Sequence, residues 1–357
     1  MEGKLIPQKT VQNGSLPVSS ESDGSASLQA GRLFAMARDL HGIQVSTRRR
    51  AALVGLFGVG VLVACGDGPA SREAASAVQP NEVGPSGPAL GARLLTPGPT
   101  AGPSGLTVVL PNSDLAAGAS RRFLLGLLGP DSRPLPNLEP PVRFFKLQGE
   151  RAQLRAEGTA RWFTSPALSG RGVYVTRVDL PEPGQWGVEV QVRAAGGVQS
   201  ARASFEVKAQ SATPDFGAPV PASQTLVGTT PAEIEKFCSA RPVDDLHRLS
   251  VADALTQQRP LAILFSTPAF CTSQTCGPAL GDMQALAEIH SQRGNFIHVE
   301  IYEGAQPPNV VPAVREWGLP SEPWLFLVDA AGKVVEKFEG MITRAEVEPF
   351  VARLMNE

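Results

Sequence analysis

Pro260 to Leu280 reads P-L-A-I-L-F-S-T-P-A-F-C-T-S-Q-T-C-G-P-A-L. The apolar run Leu261 to Phe265 predicts a buried strand, and Ser266-Thr267-Pro268 ends it in turn-forming residues. Cys271 and Cys276 follow, then Gly277-Pro278 and the helical spacing of Leu280, Met283, Leu286, Ala287 and Ile289. Pro278 suits a first helical turn, where its missing N–H removes no hydrogen bond. A helix N-terminus presents unpaired N–H groups equivalent to roughly half a positive charge. That field favours a thiolate over a thiol, and the thiolate is the nucleophile of disulfide exchange. Strand, cysteine pair and helix start therefore predict a redox site.

The 357 residues suffice for two ordinary domains with tails, and a formal net charge of −2 offers no broad basic face for nucleic acid. The 36 glycines and 32 prolines predict β-structure, turns and linkers in preference to a helical bundle. Four cysteines, Cys65, Cys238, Cys271 and Cys276, are too few for a disulfide scaffold, so each needs its own account.

Residues 1–35 are polar, without a periodic apolar face. Arg48-Arg49-Arg50 then precedes an apolar run from Ala51 to Ala64. This is the order of a secretory signal peptide, and the run is short for a membrane span, which takes about 20 residues. Leu62-Val63-Ala64-Cys65 resembles the lipobox of bacterial lipoproteins. The resemblance implies lipidation of Cys65 and a mature chain anchored on the extracytoplasmic face of the cell membrane. A short transmembrane anchor is the other reading of the run. Met36 is an alternative start that would shorten the long approach to it. An oxidising compartment favours thiol–disulfide chemistry at Cys271 and Cys276.

Beyond the signal region (1–64), residues 65–104 are dominated by Pro, Gly, Ser and Ala and predict a disordered tether. From 105 to 209 the pattern has period two: Trp186, Val188, Val190 and Val192 alternate with Gly187, Glu189, Gln191 and Arg193. Further strands are predicted at Leu106–Leu110, Arg122–Leu128, Val142–Leu147, Ala152–Ala156 and Val173–Leu180. About seven short strands in roughly 100 residues predict an all-β, immunoglobulin-like sandwich. The segment G-V-Y-V-T-R-V-D-L-P-E-P-G-Q-W-G-V-E-V resembles the last hairpin of YtkA-type or copper-resistance sandwich domains. Those families can hold copper through His and Met, yet no His, Met or Cys lies between Leu106 and Ala209. A spacer or partner-docking role is the expectation there.

Residues 210–224 read as a linker, and 225–357 as an α/β domain in which helices alternate with strands and the last two strands form a hairpin. Helices are predicted at Val251–Gln258, Ala279–Gln292 and Val310–Trp317, and strands at Phe296–Tyr302, Trp324–Val328 and Val334–Phe338. Thr343-Arg344-Ala345-Glu346 reads as a capping box. Trp317 and Trp324 are expected in the core, and His290 at the exposed end of its helix.

This second domain resembles the thioredoxin fold. Three features carry the resemblance: the strand leading into the cysteine segment, Glu322-Pro323 opening the strand Trp324 to Asp329, and Phe338-Glu339-Gly340 before a terminal helix. It implies that Glu322-Pro323 is a cis peptide beside the cysteines and pairs with a substrate backbone. It also implies that Phe270, where thioredoxins carry tryptophan, shields the thiol. The expected activity is thiol–disulfide exchange with extracytoplasmic proteins and with an electron donor or acceptor, without a cofactor.

The sequence departs from C-x-x-C by spacing its cysteines C-x-x-x-x-C. Either Cys271 or Cys276 can therefore take the nucleophile position, and a disulfide between them needs Cα atoms within about 6 Å. The family's buried acid is missing from the strand, leaving Glu300, Glu322 or water to move the proton. Three alternatives remain. The first is a structural disulfide staple between Cys271 and Cys276. Pro268, Thr272 and Cys276 loosely echo the peroxiredoxin P-x-x-x-T-x-x-C motif. A Sco-type copper site would join Cys271 and Cys276 to His247 or His298. Cys238 has no assigned partner.

Overall fold

The computed structural model describes residues 98–100, 105–194 and 197–356. The signal region, Cys65 and all but the end of the tether lie outside the described residues. The described residues fall in one compact unit, mostly β-strand in three sheets, with its α-helices after residue 230. No described helix is long and apolar enough to cross a membrane.

Two antiparallel sheets occupy the first part. One joins β1 (Gly98–Thr100), β9 (Gly197–Val207), β8 (Gly184–Ala194), β4 (Pro141–Gln148) and β5 (Arg151–Thr159) in that order. The other orders β2 (Thr107–Val109), β3 (Gly118–Leu128), β7 (Gly172–Leu180) and β6 (Arg161–Thr164). The alternation at Trp186, Val188, Val190 and Val192 turns those side chains toward Phe123, Phe144, Tyr174 and Ala203, so the two sheets share one apolar core. Residues 98–100, read as tether, instead add an edge strand against β9. Strand β6 escaped prediction because R-W-F-T is short and only half-buried.

The third sheet orders β11 (Asn295–Glu300), β10 (Leu261–Ser266), β12 (Trp324–Val328) and β13 (Val334–Glu339). Strand β10 runs parallel to β11 and antiparallel to β12, and β12–β13 is the predicted hairpin. Every residue of β10 is buried because both faces of the sheet are covered. Ala262 and Leu264 pack with residues of helices α3 (Cys276–His290) and α5 (Arg344–Leu354). Leu261, Ile263 and Phe265 pack on the other face with α2 (Val251–Thr256), α4 (Pro312–Glu316) and Trp317. Trp324 is buried on that same face.

Residues 210–224 are bonded to their surroundings. Gly217 and Val220 donate backbone N–H groups to Val334 and Gly332 carbonyls, at 2.8 and 3.0 Å. Asp114 accepts from the Ala212 and Thr213 backbone at 2.9 and 3.2 Å, and its carboxyl is held far below the usual range by those bonds against the opposing cost of burial. Arg122 on β3 grips Glu346 on α5 through Nε and Nη2, at 2.6 and 2.7 Å, with both side chains almost fully buried. Glu346 is thus drawn away from the predicted capping box, and Thr343 makes no side-chain cap bond. A complete capping box occurs instead at Thr230 and Glu233, opening α1 (Pro231–Ile234).

Candidate functional site

Strand β10 ends at Ser266, and the chain turns at once. The Thr267 carbonyl accepts the N–H groups of Phe270 and Cys271 at 3.2 and 3.1 Å, and the Cys271 carbonyl accepts that of Gln274 at 3.0 Å. Helix α3 then begins at Cys276, three residues earlier than its apolar spacing predicts. The turn brings the two thiols together at the helix start.

The pair is asymmetric. Cys271 is 8% exposed and Cys276 is fully buried. The Cys276 thiol donates to Cys271, and this bond is the chief reason that the Cys271 pKa falls to about 5. Burial opposes it, while the Ser273 hydroxyl and the backbone N–H groups of Cys276 and Thr275 add to it. Ser273 Oγ lies 3.1 Å from Cys271 Sγ and 2.7 Å from Thr275 Oγ1, so the hydroxyl that supports the thiolate is itself held by Thr275. Cys276 is pushed far upward, first by holding its proton on Cys271, then by burial and by the Cys271 charge. The environment thus favours the thiolate at Cys271 and the protonated thiol at Cys276.

The other predicted residues surround this pair unequally. The Glu322–Pro323 peptide is cis. The pairing of Phe265 with Trp324 places Pro323 next to the end of β10, where the cysteine segment begins. Burial, and then the negative charge of Cys271, raise the Glu322 pKa. Glu322 in turn acts electrostatically on Cys276, its charge adding to the upward shift there. Glu300 is otherwise engaged, accepting from Ser239 N at 2.8 Å and Ile301 N at 2.9 Å. Phe270 is 37% exposed and meets Tyr302 edge-on at 6.2 Å, forming an apolar lip beside the thiol.

His247 and His298 lie elsewhere. Among the described residues they group with Cys238 and Asp244, and neither Cys271 nor Cys276 belongs to that group. His298 Nδ1 is 2.9 Å and His247 Nε2 3.2 Å from Asp244 Oδ2, while Cys238 Sγ donates to the same oxygen at 3.4 Å. The Sco-type set of two cysteines and a histidine is thus not assembled. Burial lowers the His298 pKa, but the bonds to Asp244 and Cys238 outweigh it and raise it to about 10. Cys238 and Asp244 shift downward, as histidine bonds outweigh their burial. The signal for this cluster was D-x-x-H at Asp244 to His247, with Cys238 close before it. His290, expected at an exposed helix end, is buried.

No protein-family model matches the chain, and no curated protein matches it. Among solved structures, the chain is similar to the PKD domain of human VPS10 domain-containing receptor SorCS2. That likeness has 17% identity and a TM-score of 0.17, covering 40% of this chain and 95% of that one. So low a score carries no argument about fold or function.

Proposed function

We propose that the chain is a thiol–disulfide oxidoreductase acting through Cys271 and Cys276, carried on a thioredoxin-like α/β domain behind an immunoglobulin-like sandwich. The observation that supports it best is the asymmetry of the pair: a thiolate favoured at Cys271, which is 8% exposed, beside the fully buried thiol of Cys276. A structural staple has no need of that polarity. The sheet order β11-β10-β12-β13, with helices on both faces and the cysteines at the end of a central strand, supports the fold reading.

In the reductive direction the Cys271 thiolate attacks one sulfur of a client disulfide. An S–S bond forms between Cys271 and the client, and the client's other sulfur leaves as a thiolate that takes a proton. Cys276 passes its proton to Glu322 or water and attacks Cys271 Sγ. The mixed disulfide breaks, and the client departs with its second thiolate. The client gains two electrons and the protein is left with a Cys271–Cys276 disulfide. A dithiol electron donor reverses the protein's half of this exchange. The oxidative direction is the same sequence run backward. Phe270 and the Glu322-Pro323 backbone border the client. In this proposal Cys65 carries the lipid that holds the chain on the extracytoplasmic face of the membrane, among clients bearing thiols or disulfides.

Redox titration of the purified chain tests the reading. A reversible two-electron transition above about −300 mV, absent from Cys271→Ser and Cys276→Ser, is expected. A bond that resists reduction below that potential would identify a structural staple and end the catalytic proposal. Failure of Cys65→Ser to abolish membrane partitioning would remove the lipid anchor.

A further inference from the structure

Cys238, Asp244, His247 and His298 have no part in the exchange just described, yet one ligand atom from each lies within 4.8 Å of every other. Cys238 follows α1, Asp244 and His247 belong to the next loop, and His298 sits on β11, so the fold gathers three separate segments. All four are buried, with 0%, 3%, 1% and 1% exposure respectively. A Cys–His–Asp nucleophile would need a path for substrate, and this burial leaves none.

The spacing matches a metal polyhedron. Zinc ligands sit about 2.0–2.3 Å from the ion, which makes the edges of a tetrahedron about 3.3–3.6 Å. Four of the six edges are 2.9 Å (His298–Asp244), 3.2 Å (His247–Asp244), 3.4 Å (Cys238–Asp244) and 4.0 Å (Cys238–His298), and the two from His247 to Cys238 and His298 are within 4.8 Å. Shifts of about half an ångström bring the first four edges to the ideal. A thiolate and a carboxylate also balance a divalent cation, so the filled site carries no net charge into the core. One sulfur, two imidazoles and one carboxylate suit zinc, whereas calcium and magnesium demand oxygen ligands.

The surroundings complete the picture. Ser266 holds the far nitrogen of His298, Nε2, with its hydroxyl at 2.8 Å and its carbonyl at 3.3 Å, fixing the ring as outer partners of metal-bound histidines do. The Ala240 N–H bonds Cys238 Sγ at 3.4 Å, and the Leu246 N–H bonds Asp244 Oδ1 at 3.0 Å. The neighbouring Ser239 Oγ accepts the Ala269 N–H at 3.3 Å, linking the cluster to the cysteine segment.

We propose that Cys238, Asp244, His247 and His298 form a closed, four-coordinate site for a zinc-class divalent ion. The ion ties the loop 238–247 to β11 and steadies the start of the cysteine segment through Ser239 and Ser266.

The test is metal analysis of the full chain, purified with added zinc and dialysed, alongside Cys238→Ser, Ser266→Ala and the double variant Cys271→Ser/Cys276→Ser. About one zinc per chain is expected in the wild type and the double cysteine variant, and none in Cys238→Ser. Ser266→Ala, which keeps every ligand, should weaken zinc about 10- to 100-fold. Because zinc loss in Cys238→Ser does not by itself separate a missing ligand from unfolding, cobalt is the second probe, read on the folded wild type. A tetrahedral visible spectrum with thiolate-to-cobalt charge transfer, unchanged in the double variant, supports the site. Wild-type chain that retains no zinc and gives only an octahedral cobalt spectrum overturns it. So does zinc lost with Cys271 and Cys276 but kept without Cys238.

Discussion

The end of β10 serves two cysteine sites of opposite character. Ser266 holds His298 in the buried cluster, and the Thr267 carbonyl, one residue on, turns the chain toward Cys271. At the first site every polar atom of Asp244 and His298 has a protein partner, and water has no access. At the second a thiolate is kept near the surface by one thiol, one hydroxyl and two backbone N–H groups, beside the exposed ring of Phe270. Both lower a cysteine's pKa, but Cys238 is fully buried whereas Cys271 keeps a small exposure, 8%. Thiolate character and access are separate properties, and reactivity needs both.

The largest effect should come from testing that division directly. Cys271→Ser removes the proposed nucleophile and should abolish reduction of a small aromatic disulfide, while Cys238→Ser leaves the rate of the folded fraction within about twofold. Cys276→Ser should accumulate the mixed disulfide at Cys271, visible as a mass increment that dithiothreitol removes. Equal losses in Cys238→Ser and Cys271→Ser would merge the two sites into one.

The buried cluster should declare itself in stability. His298→Leu keeps the site filled but strips Asp244 of its closest charged partner and leaves the Ser266 hydroxyl without its bond to the ring. Breaking a buried pair in this way costs about 3–5 kcal/mol, read from urea unfolding. The reverse change at the loop, Phe270→Ala, removes a side chain already 37% exposed and should cost about 1 kcal/mol or less. If His298→Leu unfolds at the wild-type midpoint, the cluster holds nothing together.

This contrast also governs what could be read from the sequence. Loop chemistry is local: the run Leu261 to Phe265, Cys271, Cys276 and Gly277-Pro278 are contiguous, and strand, turn and helix follow from them. The strands from 105 to 209 were legible for the same reason, since alternation is a nearest-neighbour signal. The cluster needed tertiary knowledge, because Cys238 and His298 meet only once β11 pairs with β10. Likewise Glu346 looked like a helix cap until Arg122, 224 positions away, claimed its carboxylate. The extra bend that starts α3 at Cys276 depends on Thr267 accepting two N–H groups, which no periodicity announces.

A smaller effect tests the electrostatics of the loop. Cys271 has its pKa lowered from 9.0 to about 5, so its thiolate fills as pH rises through 5. Alkylation by iodoacetamide should accordingly climb around pH 5 and be level by neutrality, whereas an unperturbed thiol is still gaining near pH 9. Ser273→Ala removes one supporting hydroxyl, worth about 1 kcal/mol, and should move the midpoint upward by under about one pH unit. A midpoint above 8 in the wild type would mean that the loop does not stabilise the thiolate.

The smallest expected effect concerns whether the two-sheet part of the molecule contributes to the exchange site. Among the described residues, its hydrogen bond to the cysteine segment runs from Arg171 Nη1, before β7, to the Ser273 carbonyl at 3.4 Å, and Arg171 is exposed. A bond of that length to a solvated guanidinium is weak, and water can take its place on the carbonyl. The Ser273 hydroxyl, which supports Cys271, is held independently by Thr275 at 2.7 Å. Arg171→Ala should therefore change stability by no more than about 0.5 kcal/mol and the alkylation midpoint by a few tenths of a pH unit at most. The contrast within the same part of the fold is Arg122, whose buried grip on Glu346 holds α5 against β3 and whose loss should unsettle the whole unit. An Arg171→Ala midpoint displaced as far as that of Ser273→Ala would show that the two-sheet layer tunes the thiolate. It would then be part of the redox site and not only its support.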